Sequence, residues 1–261
     1  MLNTEEKLMY GLFGLLVAGG LAFGSGQGQF APQWTPEPTP VAVVSPAPTP
    51  IPTPIPTPTP VPTPVVITEP GRTAGTAELP LVNPWHPLCS DYTVDLVHGP
   101  DMHLVSSVCY GDLTAMYADC QAAGLNPLVC SGHRTHAFQV QLFENKVSRV
   151  MAQGYGRAEA EEIAAKSVAR PDTSEHQTGL AVDIIDGDYK VLDETQEQRP
   201  TQAWLLENSW KYGFTLRFPA GKSDWTGVIY EPWHYRYVGR EVAEALYRSG
   251  QCLEEYLGIY H

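Results

Sequence analysis

Ser174-Glu175-His176-Gln177-Thr178-Gly179-Leu180-Ala181-Val182-Asp183 is the stretch that decides how this chain folds. From Leu180 to Ile185 the residues are apolar except for Asp183, and Asp186-Gly187 follows as a turn. That pattern predicts a strand. Successive strand side chains point to opposite faces, so Leu180, Val182 and Ile184 share one face, and Ala181 and Asp183 the other. The apolar face belongs in a core. Asp183 then stands as a charge on the opposite face, with small Ala181 leaving room beside it. His176 precedes the strand across a turn that Gly179 makes easy. An imidazole and a carboxylate brought together this way suit zinc. A His–Asp hydrogen bond in a solvated loop uses the same two residues, and this stretch alone does not choose.

A second segment, Glu231-Pro232-Trp233-His234-Tyr235-Arg236-Tyr237, adds to the first. A strand from Trp233 to Val238 puts His234 and Arg236 on one face, and Trp233, Tyr235 and Tyr237 on the other. His234 can supply a third ligand. Two histidines and one aspartate leave a fourth zinc position for water, as a hydrolytic site requires. Glu231 precedes proline and is expected to be extended. It lies near His234 without being a ligand, the placement of a general base, although an exposed turn glutamate reads the same way. In a third segment, Ser131-Gly132-His133-Arg134-Thr135-His136, Arg134 closes a strand over Leu128 to Cys130. A permanent guanidinium there can bind a carboxylate or a developing oxyanion, or simply make a surface salt bridge.

Around these segments the pattern mixes helices and strands. Asp112 is placed to cap a helix with Leu113, Met116, Tyr117 and Cys120 on one face, ending at Gly124. Further helices are expected over Ala137–Met151, Arg157–Ala169, Thr201–Tyr212 and Arg240–Ser249, and a strand over Phe214–Phe218. There is no regular alternation of strand and helix. The expected class is therefore α+β: one domain with a central antiparallel sheet carrying the zinc site, flanked by helices. Of Cys89, Cys109, Cys120, Cys130 and Cys252, Cys120 on the buried face of its helix and Cys130 in the next strand are expected to be bonded or adjacent.

The first 80 residues are of another kind. Sixteen of the 24 prolines lie between Pro32 and Pro80, which leaves a folded domain over residues 81–261. Residues 1–30 hold a sixteen-residue apolar run, Leu8 to Phe23, between a signal-peptide core and a spanning helix in length. It predicts export, as a cleaved signal or a retained membrane anchor. Residues 31–80 form a Pro/Thr-rich linker of polyproline character, semi-rigid at about 3.1 Å per residue. The chain is expected outside the cytoplasm, as a monomer in the cell envelope. Its net charge is −13, of which residues 81–261 carry −10, so nucleic acid and anionic lipid headgroups are poor partners.

Together the three segments resemble the VanY-type D-alanyl-D-alanine carboxypeptidases, zinc peptidases grouped with VanX dipeptidases and related in fold to hedgehog domains. The resemblance runs from about Leu81 to Leu257. It takes in Leu81-Val82-Asn83-Pro84, Asp91-Tyr92, Tyr212-Gly213-Phe214-Thr215-Leu216-Arg217 and the motifs above. It implies His176, Asp183 and His234 as ligands of one zinc, Glu231 as base, and Arg134 against the scissile carbonyl. Gln139, Ser174 and Trp233 match positions lining a substrate site. The implied partners are peptidoglycan stem peptides. L,D-carboxypeptidase or endopeptidase action, or a zinc-stabilised wall-binding module without catalysis, are the alternatives. His133 stands where the family has tyrosine, Asp172 where it has glycine, and Phe218 often where it has tyrosine.

Overall fold

In the computed structural model, residues 74–75 and 79–259 are described. The apolar run Leu8–Phe23 and the proline-rich stretch lie outside them. Two short antiparallel pairs come first: β1 (Ala74–Gly75) with β2 (Pro80–Leu81), and β3 (Leu96–His98) with β4 (Leu104–Ser106). Leu79 and Pro80 are buried, so the folded part begins before residue 81.

Helix α1 (Ser107–Ala122) leaves β4 directly. Ser106 caps it, its hydroxyl accepting from the Val108 amide. The expected cap, Asp112, lies inside the helix. Ser106 is already extended at the end of a strand and offers its oxygen a turn and a half earlier. Asp112 instead accepts from Tyr237 Oη at 2.8 Å and from Arg240 Nη2 at 2.6 Å.

Strand β5 (Pro127–Ser131) is followed by α2 (His136–Met151), capped by Thr135, and α3 (Arg157–Ala165). Helix α3 stops short of the expected Ala169. The Ser167 and Val168 amides both turn onto the Ala164 carbonyl, and Pro171 disfavours helix before it. Strand β6 (Ala181–Asp186) forms within one residue of its expected place. Helix α4 (Pro200–Asn208) tightens into a 3-10 turn over Ser209–Tyr212, where continuous helix was expected. Gly213 ends it at φ +80°, and a Cβ there would stand 2.8 Å from the Tyr237 ring. The chain closes with β7 (Phe214–Leu216), short α5 (Ser223–Thr226), β8 (His234–Tyr237), α6 (Arg240–Ser249) and α7 (Leu253–Leu257). Helix α7 and the β3–β4 hairpin are not among the sequence expectations.

The central sheet runs β5-β6-β8-β7, antiparallel at every pair. Its apolar face carries Leu180, Val182 and Ile184 from the β6 segment, with Val129, Phe214 and Tyr235, onto Cys109, Leu113 and Met116 of α1 and Leu205 of α4. Alternation along β6 and β8 therefore falls as expected. A second cluster joins Leu79 and Leu81 to Leu246, Leu253 and Leu257, and a third joins α2 to α3. Cys120 and Cys130 are free thiols, so of the two alternatives expected for them, bonded or adjacent, the bond is not made. In β5, Val129 takes the core-facing place, and the Cys130 thiol turns to the Asp183 carbonyl at 3.5 Å.

Candidate metal centre and active site

Sheet register places two of the three expected ligands. Asp183 in β6 is paired directly with His234 in β8, and Ser131 at the end of β5 is paired with Asp183 on its other side. The third, His176, sits on a 3-10 turn, Glu175–Thr178, that feeds β6. Gly179 closes that turn at φ +71°, in the left-handed region that glycine enters freely.

Donor atoms of His176, Asp183 and His234 lie within 4.8 Å of one another, all buried. His176 Nε2 is 3.3 Å from Asp183 Oδ2, and His234 Nδ1 is 3.1 Å from Asp183 Oδ1. The two rings meet edge to face, centroids 4.9 Å apart with planes at 88°. His176 Nδ1 donates to the Gly132 carbonyl at 2.7 Å, which leaves Nε2 as the lone-pair nitrogen. Among the described residues, that Nε2 and Asp183 Oδ1 are buried without a well-aligned hydrogen bond, although the His234 ring lies close to Oδ1; this is a costly condition unless something binds them. Two imidazole nitrogens and a carboxylate oxygen form a donor set of the catalytic zinc type. The residues fit the metal.

The electrostatics set the two imidazoles apart. Burial lowers the His176 imidazole to about 4, with Arg134 adding to the push, so the ring is neutral and ready to ligate. Burial also disfavours a charged His234, but the carboxylates of Asp183 and Glu175 outweigh it and raise that imidazole to about 9. Asp183 is held well below the carboxylate range: burial opposes ionisation, but His176, His234 and Arg134 prevail.

Glu231 is buried, with Oε2 3.7 Å from His234 Nδ1. Burial pushes its carboxyl up to about 8 and Asp183 adds to that, while His234, Arg134 and Lys146 pull the other way. A cation at the triad acts in the same sense as His234. Arg134 reaches into the site, Nη2 2.7 Å from Asp183 Oδ2 and Nε 2.9 Å from Ser131 Oγ. Beside it opens a cleft of about 450 Å³, with Tyr92, His133, His136, Asp172 and Gln177 in its walls. Asp172 has φ +67°, the conformation for which glycine is suited, and its carboxylate is held by His136 at 2.7 Å. Ser174 and Trp233 are buried, in the chain immediately beside the ligand segments. Gln139 is buried in α2; its Nε2 donates to the Ala169 carbonyl at 2.7 Å, and its Oε1 has no hydrogen-bond partner.

Behind the triad lies a buried ionic network that sequence reading did not assign. Glu175 Oε1 accepts from Arg217 Nε and Arg236 Nη1, both at 2.8 Å. Arg217 forks onto Glu254 of α7 at 2.6 and 2.9 Å, and Asn83 donates to the same Glu254. Burial works against ionisation of Glu175, but the two arginines hold its carboxyl far below the usual range. Strand alternation places Arg236 beside His234; the signal for Glu175 is its position next to a ligand histidine.

A β-sheet bearing a buried His–Asp–His donor set, with an acid and an arginine at its side, defines the scaffold of a mononuclear metallopeptidase. A family model described as VanY, D-alanyl-D-alanine carboxypeptidase, matches residues 102–240. The chain belongs to that family. A D-alanyl-D-alanine carboxypeptidase of Enterococcus faecalis is 42% identical over 178 residues, 68% of this chain and 64% of the relative's length. The chain thus spans under two thirds of that relative. Two solved structures are each 40% identical and 97% covered. A vancomycin-resistance D,D-pentapeptidase VanY variant in complex with Zn(II) has TM-score 0.62 over 68% of this chain. VanYB in complex with D-alanine-D-alanine has TM-score 0.63 over 69%.

Proposed function

We propose that this chain is a zinc D,D-carboxypeptidase that releases the terminal D-alanine of peptidoglycan stem peptides. The observation that carries the proposal is the convergence of His176, Asp183 and His234 on one point with Glu231 alongside. Family membership and the likeness to structures holding zinc or D-alanine-D-alanine give it its substrate class. Zinc bound at these three residues supplies Lewis acidity, polarising the scissile carbonyl and acidifying water.

The chain's own residues do the rest. Glu231 takes a proton from the attacking water and returns it to the leaving amine. Burial raises this carboxyl in the metal-free protein, and a zinc ion beside it would lower it again toward the ionised form that a base requires. Arg134 lines the 450 Å³ cleft, where its guanidinium would meet the scissile carbonyl or the terminal carboxylate. The cleft receives the stem peptide, and Gln139, Ser174 and Trp233 shape the substrate site. The enzyme acts as a monomer.

The apolar run Leu8–Phe23 and the proline-rich spacer support extracytoplasmic placement in the cell envelope, held to the membrane or released from it. Protease added to intact cells should then reach the domain. The activity is tested by product mass analysis on defined pentapeptide and tetrapeptide stems. A loss of one D-alanine from the pentapeptide is expected. Cleavage of the tetrapeptide alone would make it an L,D-carboxypeptidase, and an internal cut an endopeptidase.

A further inference from the structure

The Glu175 network lies behind His234, on the side of the ring away from Asp183. His234 turns Nδ1 toward Asp183 and Glu231, and Nε2 toward Glu175. His234 Nε2 and Glu175 Oε2 are 3.7 Å apart. Both atoms are buried, and neither has a hydrogen-bond partner among the described residues. A shift of about half an ångström turns this ion-pair distance into a hydrogen bond. The other oxygen of Glu175 is fixed by Arg217 and Arg236, so the carboxylate cannot swing away. Arg217 is fixed in turn by Glu254 on α7, and Arg236 Nη2 by the Pro80 carbonyl at 2.7 Å.

We infer that Glu175 is a positioning residue for the metal. It receives the Nε2 proton of His234 and so holds Nδ1 as the ligand nitrogen, and its own place is set from the C-terminal helix through Glu254 and Arg217. The inference rests on the zinc reading above. The physical reason is general: a metal-bound imidazole donates its other N–H to an outer partner that fixes tautomer and ring orientation, and loss of that partner weakens metal binding about 10- to 100-fold. Helix α7 thus contributes to the metal site without touching it.

The test is zinc affinity of the full chain, measured by competition with a chromophoric chelator, for wild type, Glu175→Gln and Glu254→Gln. Wild type that binds no zinc refutes the functional reading itself. If wild type binds, Glu175→Gln is expected to bind about 10- to 100-fold more weakly. The His234 Nε2 proton, seen downfield in the zinc-loaded wild type by long-range ¹H–¹⁵N NMR, should move upfield in that variant. Unchanged affinity and an unchanged proton resonance would overturn the inference. If Glu175→Gln does not fold, Glu254→Gln decides: it keeps the Glu175–His234 contact but loosens Arg217. A several-fold loss of zinc affinity in folded Glu254→Gln supports the inference, and wild-type affinity overturns it.

Discussion

The carbonyl oxygen of Gly132 accepts the Nδ1 proton of His176 at 2.7 Å, so a loop glycine sets the orientation of a metal-ligand candidate. Glycine is needed there for space: a Cβ would stand 2.4 Å from the Leu104 carbonyl oxygen. The atom it would meet is backbone, so something must shift. Gly132→Ala should therefore displace the loop and turn the His176 ring. The expected outcome is weaker zinc binding together with a lower unfolding midpoint. Chelator competition and a thermal melt check it, and wild-type values in both would show that the loop has slack.

Metal binding should be coupled to protons. Burial disfavours charge on His234, yet Asp183 and Glu175 hold it protonated up to about 9 in the metal-free protein. A ligating nitrogen must be free of its proton, so zinc expels at least one proton at pH 7. The sign follows: below about 9, affinity falls as pH falls, roughly tenfold per unit for one proton. Calorimetry in buffers of different ionisation enthalpy reads the proton count directly. A count of zero at pH 7 would contradict the assignment.

Arg217 is 1% exposed and is paired with Glu175 and Glu254. Without Arg217, Glu175 keeps Arg236 but buried Glu254 keeps only the neutral Asn83, and breaking a buried ionic network in this way costs about 3–5 kcal/mol. Arg217→Met should lower stability by about that amount in urea unfolding. Glu231→Gln should not destabilise the protein, because burial already disfavours the charged form of that group. The metal-free wild type should in fact lose stability relative to Glu231→Gln as pH rises from about 4.5 to about 8. The folded state holds the Glu231 proton longer than the unfolded chain does, so rising pH favours unfolding across that window.

Much of this site is legible in sequence because period-two alternation is local. Asp183 against Leu180, Val182 and Ile184 fixes one face of β6, and His234 with Arg236 fixes one face of β8. The direct pairing of Asp183 with His234 is a matter of register between strands fifty residues apart, which alternation permits but does not specify. The ionic network was illegible for the same reason: Glu175, Arg217 and Glu254 are brought together only by the fold. Helix boundaries failed where local oxygens compete. Ser106 displaced Asp112 as a cap, and Gly213 ended a 3-10 turn rather than an α-helix. Of the two alternatives expected for Cys120 and Cys130, the bond is not made, because sequence nearness carries no information about which face of β5 a thiol takes.

Arg134 and His176 should separate in their variants. Arg134→Lys keeps the charge but not the planar fork, so turnover should fall toward the roughly 10²–10³-fold cost of losing an oxyanion contact, with zinc retained. His176→Ala should lose zinc and activity together. Chelation should abolish wild-type activity, and zinc should restore it. Metal analysis alongside each rate checks the distinction.

The most direct measurement is the rate of terminal D-alanine release from a pentapeptide stem by zinc-loaded wild type and zinc-loaded Glu231→Gln, with metal content measured on the same samples. One zinc per chain is expected in both, with release slower by at least about 10²–10⁴-fold in the variant. Near-equal release at equal zinc content would contradict it.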